Sequence, residues 1–134
     1  MARYLVLTKY DEGLSAPPMQ EWDPDDLTAL LDYLRAVNQR LIDSGELVEA
    51  QALTGPELAK VVVSDGSDPP VITDGPFAEV KEALAGYQMI DVESEERAVE
   101  IAAEVSAAPG PGGIPMGQRI EVRRVMGPLP GADL

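Results

Sequence analysis

The side chains best suited to acid–base chemistry in this chain are a carboxylate and an amine seven residues apart, Asp74 and Lys81. If Asp74 projects into a cleft at the end of a sheet, it can act as a base or as a hydrogen-bond acceptor. A lysine in an apolar cleft can have its pKa shifted far enough to act as an acid or a base. Together with Tyr87, these are the three candidate catalytic residues.

The same residues also have structural interpretations. In the run Asp74–Phe77 the aspartate can cap a turn, glycine can take a positive φ, proline fixes the next φ, and the phenylalanine can fill the core. Lys81 and its acidic neighbours can form a solvated charged segment. Tyr87 can pack in the core or in an interface, with its hydroxyl bonded to a neighbour. The sequence leaves both interpretations open.

Three further residues are candidates for contact with a ligand. Glu82 flanks the turn and can pair with a ligand, and Phe77 is the only phenylalanine in the chain. Arg123 belongs to a group of three arginines near the C-terminus, with Arg119 and Arg124. These arginines can balance acidic neighbours in a dimer or hold a carboxylate ligand. Phe77, Glu82 and Arg123 are therefore the candidate ligand-binding residues.

Composition excludes several classes of function. The 134 residues include no cysteine and no histidine, which removes disulfides, thiolate nucleophiles and the commonest metal ligand. We expect no metal and no cofactor. The formal charge of −14, from 24 acidic and 10 basic residues, opposes binding to nucleic acids and to anionic membranes. The first apolar run is too short for a signal peptide or a membrane span, so the expected location is the cytoplasm.

The hydrophobic pattern predicts two amphipathic helices and six strands. Asp23 and Pro24 mark the start of the first helix, with Trp22 placed to pack on its first turn, and Gly45 marks its end. Ser94 caps the second helix. The predicted strands span residues 3–10, 47–53, 59–64, 71–73, 86–92 and 120–125.

This order of elements predicts an α+β fold, a ferredoxin-like split βαβ arrangement with an extra hairpin before its second half. Residues 1–126 form a single domain, and residues 127–134 form a flexible C-terminal tail. Both helices must cover the same face of the sheet.

The other face of the sheet is then bare, although neither face is purely polar. The residues that indicate this are Tyr4, Val6, Val62, Tyr87 and Met89. A bare apolar face is a site for a partner, so we expect a homodimer that packs through the helix-free face of the sheet.

The stretch from Thr73 to Val92 combines a tight Asp-Gly-Pro turn, a charged cluster and an apolar strand. It resembles the signature of the DGPF, or YCII-related, domain family. The similarity extends over nearly the whole chain, in residues 1–7, 44–50, 74–82, 86–92, 107–110 and 120–123. The resemblance implies a dimeric α+β barrel, in which two ferredoxin-like sheets pack face to face.

The resemblance also bears on function. Members of the DGPF branch are often encoded near, or fused to, extracytoplasmic-function sigma factors, and their biochemical role is largely undefined. This implies a binding or regulatory module, with acidic helix side chains facing a basic sigma-factor surface. The YCII branch includes dechlorinase-like enzymes with a proposed His–Asp pair, which a chain without histidine cannot form.

An alternative function rests on analogy with barrel enzymes of related fold. In this alternative the protein is a cofactor-free lyase or isomerase that acts on a small carboxylic or phenolic acid. The reaction would use Asp74, Lys81 and Tyr87.

Overall fold

The structure, a computed structural model, describes residues 1–11, 19–74 and 82–132. The described residues contain six strands and two long helices. In chain order these are β1 (Ala2–Asp11), α1 (Pro24–Asp43), β2 (Leu47–Ala52), β3 (Lys60–Val63), β4 (Val71–Asp74), β5 (Glu82–Val92), α2 (Glu95–Ser106) and β6 (Ile120–Arg124).

Four strands form one antiparallel sheet in the order β2-β5-β1-β6, while β3 and β4 form a separate antiparallel hairpin. The two βαβ halves therefore interleave, with β1 and β5 in the centre and β2 and β6 at the edges. This is the ferredoxin-like arrangement. The prediction of an α+β fold with an inserted hairpin is confirmed.

Local capping sets the ends of both helices. Asp23 Oδ1 accepts a hydrogen bond from the backbone N–H of Asp25 at 2.9 Å, and Pro24 occupies the first turn of α1. α1 ends before Gly45, whose φ of 79° suits a residue without a side chain. Ser94 Oγ accepts from the N–H of Arg97 at 3.1 Å and so caps α2. Among the described residues, neither of these helices nor any other is long and apolar enough to cross a membrane.

The main core lies between the helices and one face of the sheet. Its buried members come from α1, α2 and the two central strands: Tyr4, Val6, Val37, Leu41, Ile90, Val92, Ala98, Ile101, Ala102 and Val105. A smaller cluster surrounds Trp22, which is buried with Leu30 and Ala108. Leu27, in the first turn of α1, packs against this cluster, as a hydrophobic staple requires.

The five residues that indicated apolar character on both faces of the sheet lie in three places. Tyr4 and Val6 lie on the face that the helices cover, and both are buried in the core. Val62 lies on the separate hairpin. Because the run Tyr4–Leu7 is apolar or aromatic at every position, its sequence does not reveal which set of alternating side chains points towards the helices. Tyr87 and Met89 lie on the helix-free face, so neither face of the main sheet is purely polar, as expected, and only Val62 belongs to a different sheet.

The β3–β4 hairpin stands apart from the core with apolar side chains exposed on both of its faces. Val62 and Ile72 face each other across one side, 60% and 61% exposed. Val63 pairs with Val71 on the other side, and these are similarly exposed. An isolated two-stranded hairpin is only marginally stable in water.

Candidate functional site

The helix-free face of the main sheet carries a group of adjoining apolar side chains. Leu5 and Leu7 of β1 lie opposite Met89 and Tyr87 of β5, and all four are partly buried in the single chain. Leu84, opposite Lys9, extends this group towards the start of β5 and is 38% exposed. These five apolar residues (Leu5, Leu7, Leu84, Tyr87 and Met89) are called the apolar floor below.

Polar side chains border the apolar floor on both edges of the sheet. On the β2 side, Glu49 lies opposite Met89, and Gln51 is the next polar residue along the strand. On the β6 side, Arg123 lies opposite Leu5, and Glu121 follows the same alternation. The β2 edge of the floor is therefore acidic, while the β6 edge carries both the guanidinium of Arg123 and the carboxylate of Glu121, which form an ion pair at 3.9 Å.

Tyr87 joins the apolar floor to the β2 edge. Burial of the ring raises the pKa of the Tyr87 hydroxyl, and the charge of Glu49 and a hydrogen bond to its carboxylate raise it further. Gln51 Nε2 donates to Glu49 Oε1 at 3.5 Å. A tyrosine with a raised pKa stays protonated at neutral pH, so Tyr87 is a hydrogen-bond donor at this site.

A pocket opens at the β1–β6 end of the same face. It is lined by Lys9, Arg119, Ile120 and Glu121, and its volume is about 210 Å³. Lys9 Nζ lies 3.7 Å from Glu121 Oε1, and the lysine side chain is only 22% exposed. Of the described side chains that line it, Lys9 and Arg119 are cationic and Glu121 is a carboxylate. We call this cavity the β1–β6 pocket.

The helix-free face differs in charge from the rest of the molecule. Including the β1–β6 pocket, its described side chains contain four of the ten basic residues of the chain: Arg3, Lys9, Arg119 and Arg123. Its described acidic side chains are Glu49, Asp91 and Glu121. These described side chains together carry about +1, whereas the whole chain carries −14. Among the described residues, no cluster of three or more acidic side chains is placed to hold a metal ion.

The structure places two of the six predicted site residues on this face, Tyr87 and Arg123. Asp74 lies instead at the end of the separate hairpin, where it forms an ion pair with Lys60 and is 76% exposed. Phe77 and Lys81 lie outside the described residues, and so does the side chain of Glu82.

Sequence reasoning did not single out Lys9, Glu49 or Gln51. The sequence of β2 did contain a signal for a polar face, because Glu49 and Gln51 alternate with alanines in Leu47–Ala52. However, the pairing of β2 with β5 is irregular between Leu47 and Glu49, and only the register shows which face Glu49 occupies.

Two comparisons with known proteins agree with the motifs of the sequence. The YCII-related domain matches residues 2–113, which include every element from β1 to α2. An uncharacterized protein of Rhizobium meliloti (strain 1021), R00369, is 30% identical over 105 residues, which cover 78% of this chain and 81% of that protein. On the strength of this match and of its ferredoxin-like architecture, the chain belongs to the YCII-related domain family.

Proposed function

We propose that this protein is a homodimeric binding or regulatory module whose two copies pack through the helix-free face of the sheet. The observation that carries the proposal is the apolar floor, which lies on a face whose described side chains nearly balance in charge. Burial of apolar surface favours association by about 25 cal/mol per Å². Two copies that each carry −14 repel each other least when they meet through this face.

The charges at the two edges of the face specify how the copies are oriented. A two-fold axis parallel to the strands places β2 of each copy over β6 of the other. Glu49 then meets the partner's Arg123, and the opposite charges attract. An axis across the strands would instead place Glu49 over the partner's Glu49. We therefore propose the axis parallel to the strands.

Light scattering on purified protein tests the dimer directly. Wild-type protein should have the mass of two chains at micromolar concentration, and Met89→Glu should convert it to a monomer because a charge enters the apolar floor. Val99→Glu is the matched control, since Val99 lies on α2 and is 53% exposed. A monomeric wild type, or equal effects of the two variants, contradicts the proposal.

A charge exchange tests the orientation of the two copies. Glu49→Arg and Arg123→Glu should each weaken the dimer, because each places like charges opposite each other. The double variant should restore the dimer, because it re-creates the pair with its charges exchanged. If the effects of the two substitutions simply add, Glu49 and Arg123 do not meet across the interface.

The proposed regulatory partner is an extracytoplasmic-function sigma factor, bound through the helices. The resemblance to the DGPF branch supports this class of partner, and the proposed dimer leaves the helical layer uncovered. Three of the helix acids form ion pairs with arginines of the chain: Asp32, Glu100 and Glu104. Asp43, at the end of α1, accepts a hydrogen bond from Gln39. The remaining acids lie in the first turns of α1 and α2: Asp25, Asp26, Glu95 and Glu96.

A pull-down with a sigma factor encoded beside this protein, at two salt concentrations, tests the partner. The complex should form at low salt and weaken at high salt, because screening reduces attraction between exposed charges. Glu95→Gln combined with Glu96→Gln should weaken it, whereas Asp32→Asn should not. Absence of a complex at low salt, or a complex that is indifferent to salt, contradicts this part of the proposal.

The alternative, a cofactor-free lyase or isomerase for a small acid, is favoured by one observation. Tyr87 and Glu49 place a hydroxyl donor beside a carboxylate on the helix-free face. In such an enzyme Glu49 would remove a proton and Tyr87 would donate a hydrogen bond to the resulting anion. NMR of small carboxylic and phenolic acids in D₂O tests this. Deuterium exchange that Glu49→Gln abolishes supports the enzyme, and absence of exchange across the panel contradicts it.

A further inference from the structure

We infer that Asp91 of each copy pairs with Arg3 of the other copy, so that two symmetric ion pairs stabilise the proposed dimer at one end of the helix-free face. This inference rests on the proposed function, since it needs two copies that meet through this face. It stands on a separate observation, a carboxylate that one chain leaves unsatisfied.

Asp91 has a side-chain oxygen without a donor. Its Oδ1 is buried in the single chain and receives no hydrogen bond from any described residue. The backbone N–H of Asp91 donates to the carbonyl oxygen of Glu46 at 2.8 Å, which holds this part of β5 against the start of β2. A carboxylate that has lost water without gaining a donor lowers stability, so a donor from a second chain is favourable here.

Arg3 is a cation on the same level of the sheet. It lies directly opposite Asp91, and both residues follow the alternation of Leu5 and Met89 onto the helix-free face. Arg3 is exposed, and within the chain its guanidinium does not donate to Asp91 Oδ1. Side chains that are direct neighbours across strands project from the sheet side by side. The cation and the carboxylate are therefore both presented to whatever packs on this face.

The proposed two-fold axis brings these charges together. Rotation about an axis parallel to the strands keeps each residue at its level and places β5 of each copy over β1 of the other. At the level of the apolar floor, Met89 then lies over the partner's Leu5. One level further along, Asp91 lies over the partner's Arg3. Each contact occurs twice because the dimer is symmetric.

The chemistry of the two groups fits this contact. Packed sheets lie about 10 Å apart, and the long side chain of arginine spans most of that gap. The terminal torsion of aspartate is soft, so either carboxylate oxygen can turn towards the guanidinium, whose parallel N–H donors match a carboxylate. Dimer formation removes further water from Asp91, and an unpaired carboxylate would then oppose association. The partner's Arg3 supplies the compensating charge.

The experiment is light scattering on two charge-reversed variants, alone and mixed. Arg3→Asp places a carboxylate over the partner's Asp91, and Asp91→Arg places a guanidinium over the partner's Arg3. Each variant alone should dimerise at least tenfold more weakly than wild type, because two pairs become repulsive. In an equimolar mixture, opposite charges face each other at both positions. A heterodimer should therefore form, with near wild-type affinity, and native mass spectrometry identifies it.

Mixing distinguishes pairing between copies from pairing within one chain. In each variant the two residues of a single chain carry like charges, and mixing leaves that unchanged. The control is Arg124→Asp, which makes the same charge change but lies opposite Tyr4, on the face that the helices cover. Arg124→Asp alone should dimerise like wild type, and its mixture with Asp91→Arg should form no heterodimer beyond that of wild type with Asp91→Arg.

Neutral variants give a second measurement that does not depend on the folding of the charge-reversed chains. Arg3→Met and Asp91→Asn should each weaken the dimer by roughly tenfold, and the double variant should weaken it no further than the weaker of the two. A dimeric wild type with neither rescue by mixing nor coupling between the neutral variants would overturn the inference and leave the proposed dimer standing. A monomeric wild type would overturn the dimer and this inference with it.

Discussion

Replacing Glu46 with glutamine tests how α2 is held against the edge of the sheet. Arg97 Nε donates to Glu46 Oε2 at 2.9 Å, and Arg97 Nη2 donates to Oε1 at 3.0 Å. Ser44 Oγ donates to the same Oε1 at 2.7 Å. Glu46 immediately precedes β2, and Arg97 lies in the first turns of α2. The two hydrogen bonds therefore fasten the strand that carries Glu49 to the helical layer.

The expected loss follows from the geometry and exposure of this pair. A hydrogen bond to a charged group contributes about 1.5–3 kcal/mol when it is well shielded from water. The side chains of Glu46 and Arg97 are 15% and 31% exposed, so solvent screening reduces that contribution. We expect Glu46→Gln to lower the free energy of unfolding at pH 7 by about 1–2 kcal/mol, measured by urea unfolding followed by circular dichroism.

The pH dependence of this loss identifies its origin. The hydrogen bond from Arg97 lowers the pKa of the Glu46 carboxyl, against the opposing effect of burial. A carboxyl whose pKa is lower in the folded state stabilises the fold above its unfolded pKa, near 4.3, and loses that contribution as the pH falls through the folded pKa. The difference between wild type and Glu46→Gln should stay constant from pH 7 to about pH 5 and then shrink.

Asp32→Asn is the control for this measurement. Asp32 forms an ion pair with Arg35 at 2.9 Å, but the two side chains are 66% and 73% exposed. Its loss should cost at most about 0.5 kcal/mol. A Glu46→Gln loss no larger than that of Asp32→Asn, or one that persists undiminished at pH 3, would refute the assigned role of the Glu46–Arg97 pair.

Two further substitutions have defined outcomes. Asp74→Asn should change the free energy of unfolding by less than about 1 kcal/mol, because the ion pair with Lys60 is exposed, and a larger loss on urea unfolding would favour the turn-capping role. Gly86→Ala should cost about 1–3 kcal/mol, because an added Cβ would lie 2.9 Å from the backbone oxygen of Gln51, and an unchanged melting temperature would contradict this.

The ends of the helices could be predicted from the sequence because capping is local. Asp23 and Pro24 start α1, Gly45 follows its end, and Ser94 starts α2, each through contacts within a few residues. The inserted hairpin was also predicted, from the β-branched residues and turn residues around it. The sequence predicts that β5 starts at Gly86, whereas the strand starts at Glu82, because pairing with β1, more than a pattern of alternation, makes residues 82–85 a strand.

The candidate site depends on contacts that the sequence does not display. Lys9 and Glu121 are far apart in the chain and meet because β1 and β6 are neighbours. Irregular pairing in β2 and at the bulge beside Lys9 decides which side chains face away from the helices. Asp74 has the residue type of a catalytic base, yet its strand lies outside the main sheet. Residue type and spacing could suggest candidate site residues, but only the register of the strands shows which of them lie together.

The exposed valines of the β3–β4 hairpin make colloidal stability depend on charge. Short segments rich in β-branched residues, with free strand edges, are templates for intermolecular strand pairing. At neutral pH the charge of −14 keeps the molecules apart. The isoelectric point of the sequence is about 4.1, so acidification to near that pH removes the repulsion. The apolar side chains of the hairpin do not titrate and stay as apolar as before. The pH of storage and crystallisation buffers therefore sets how far this protein aggregates, because association through the hairpin begins once electrostatic repulsion is lost.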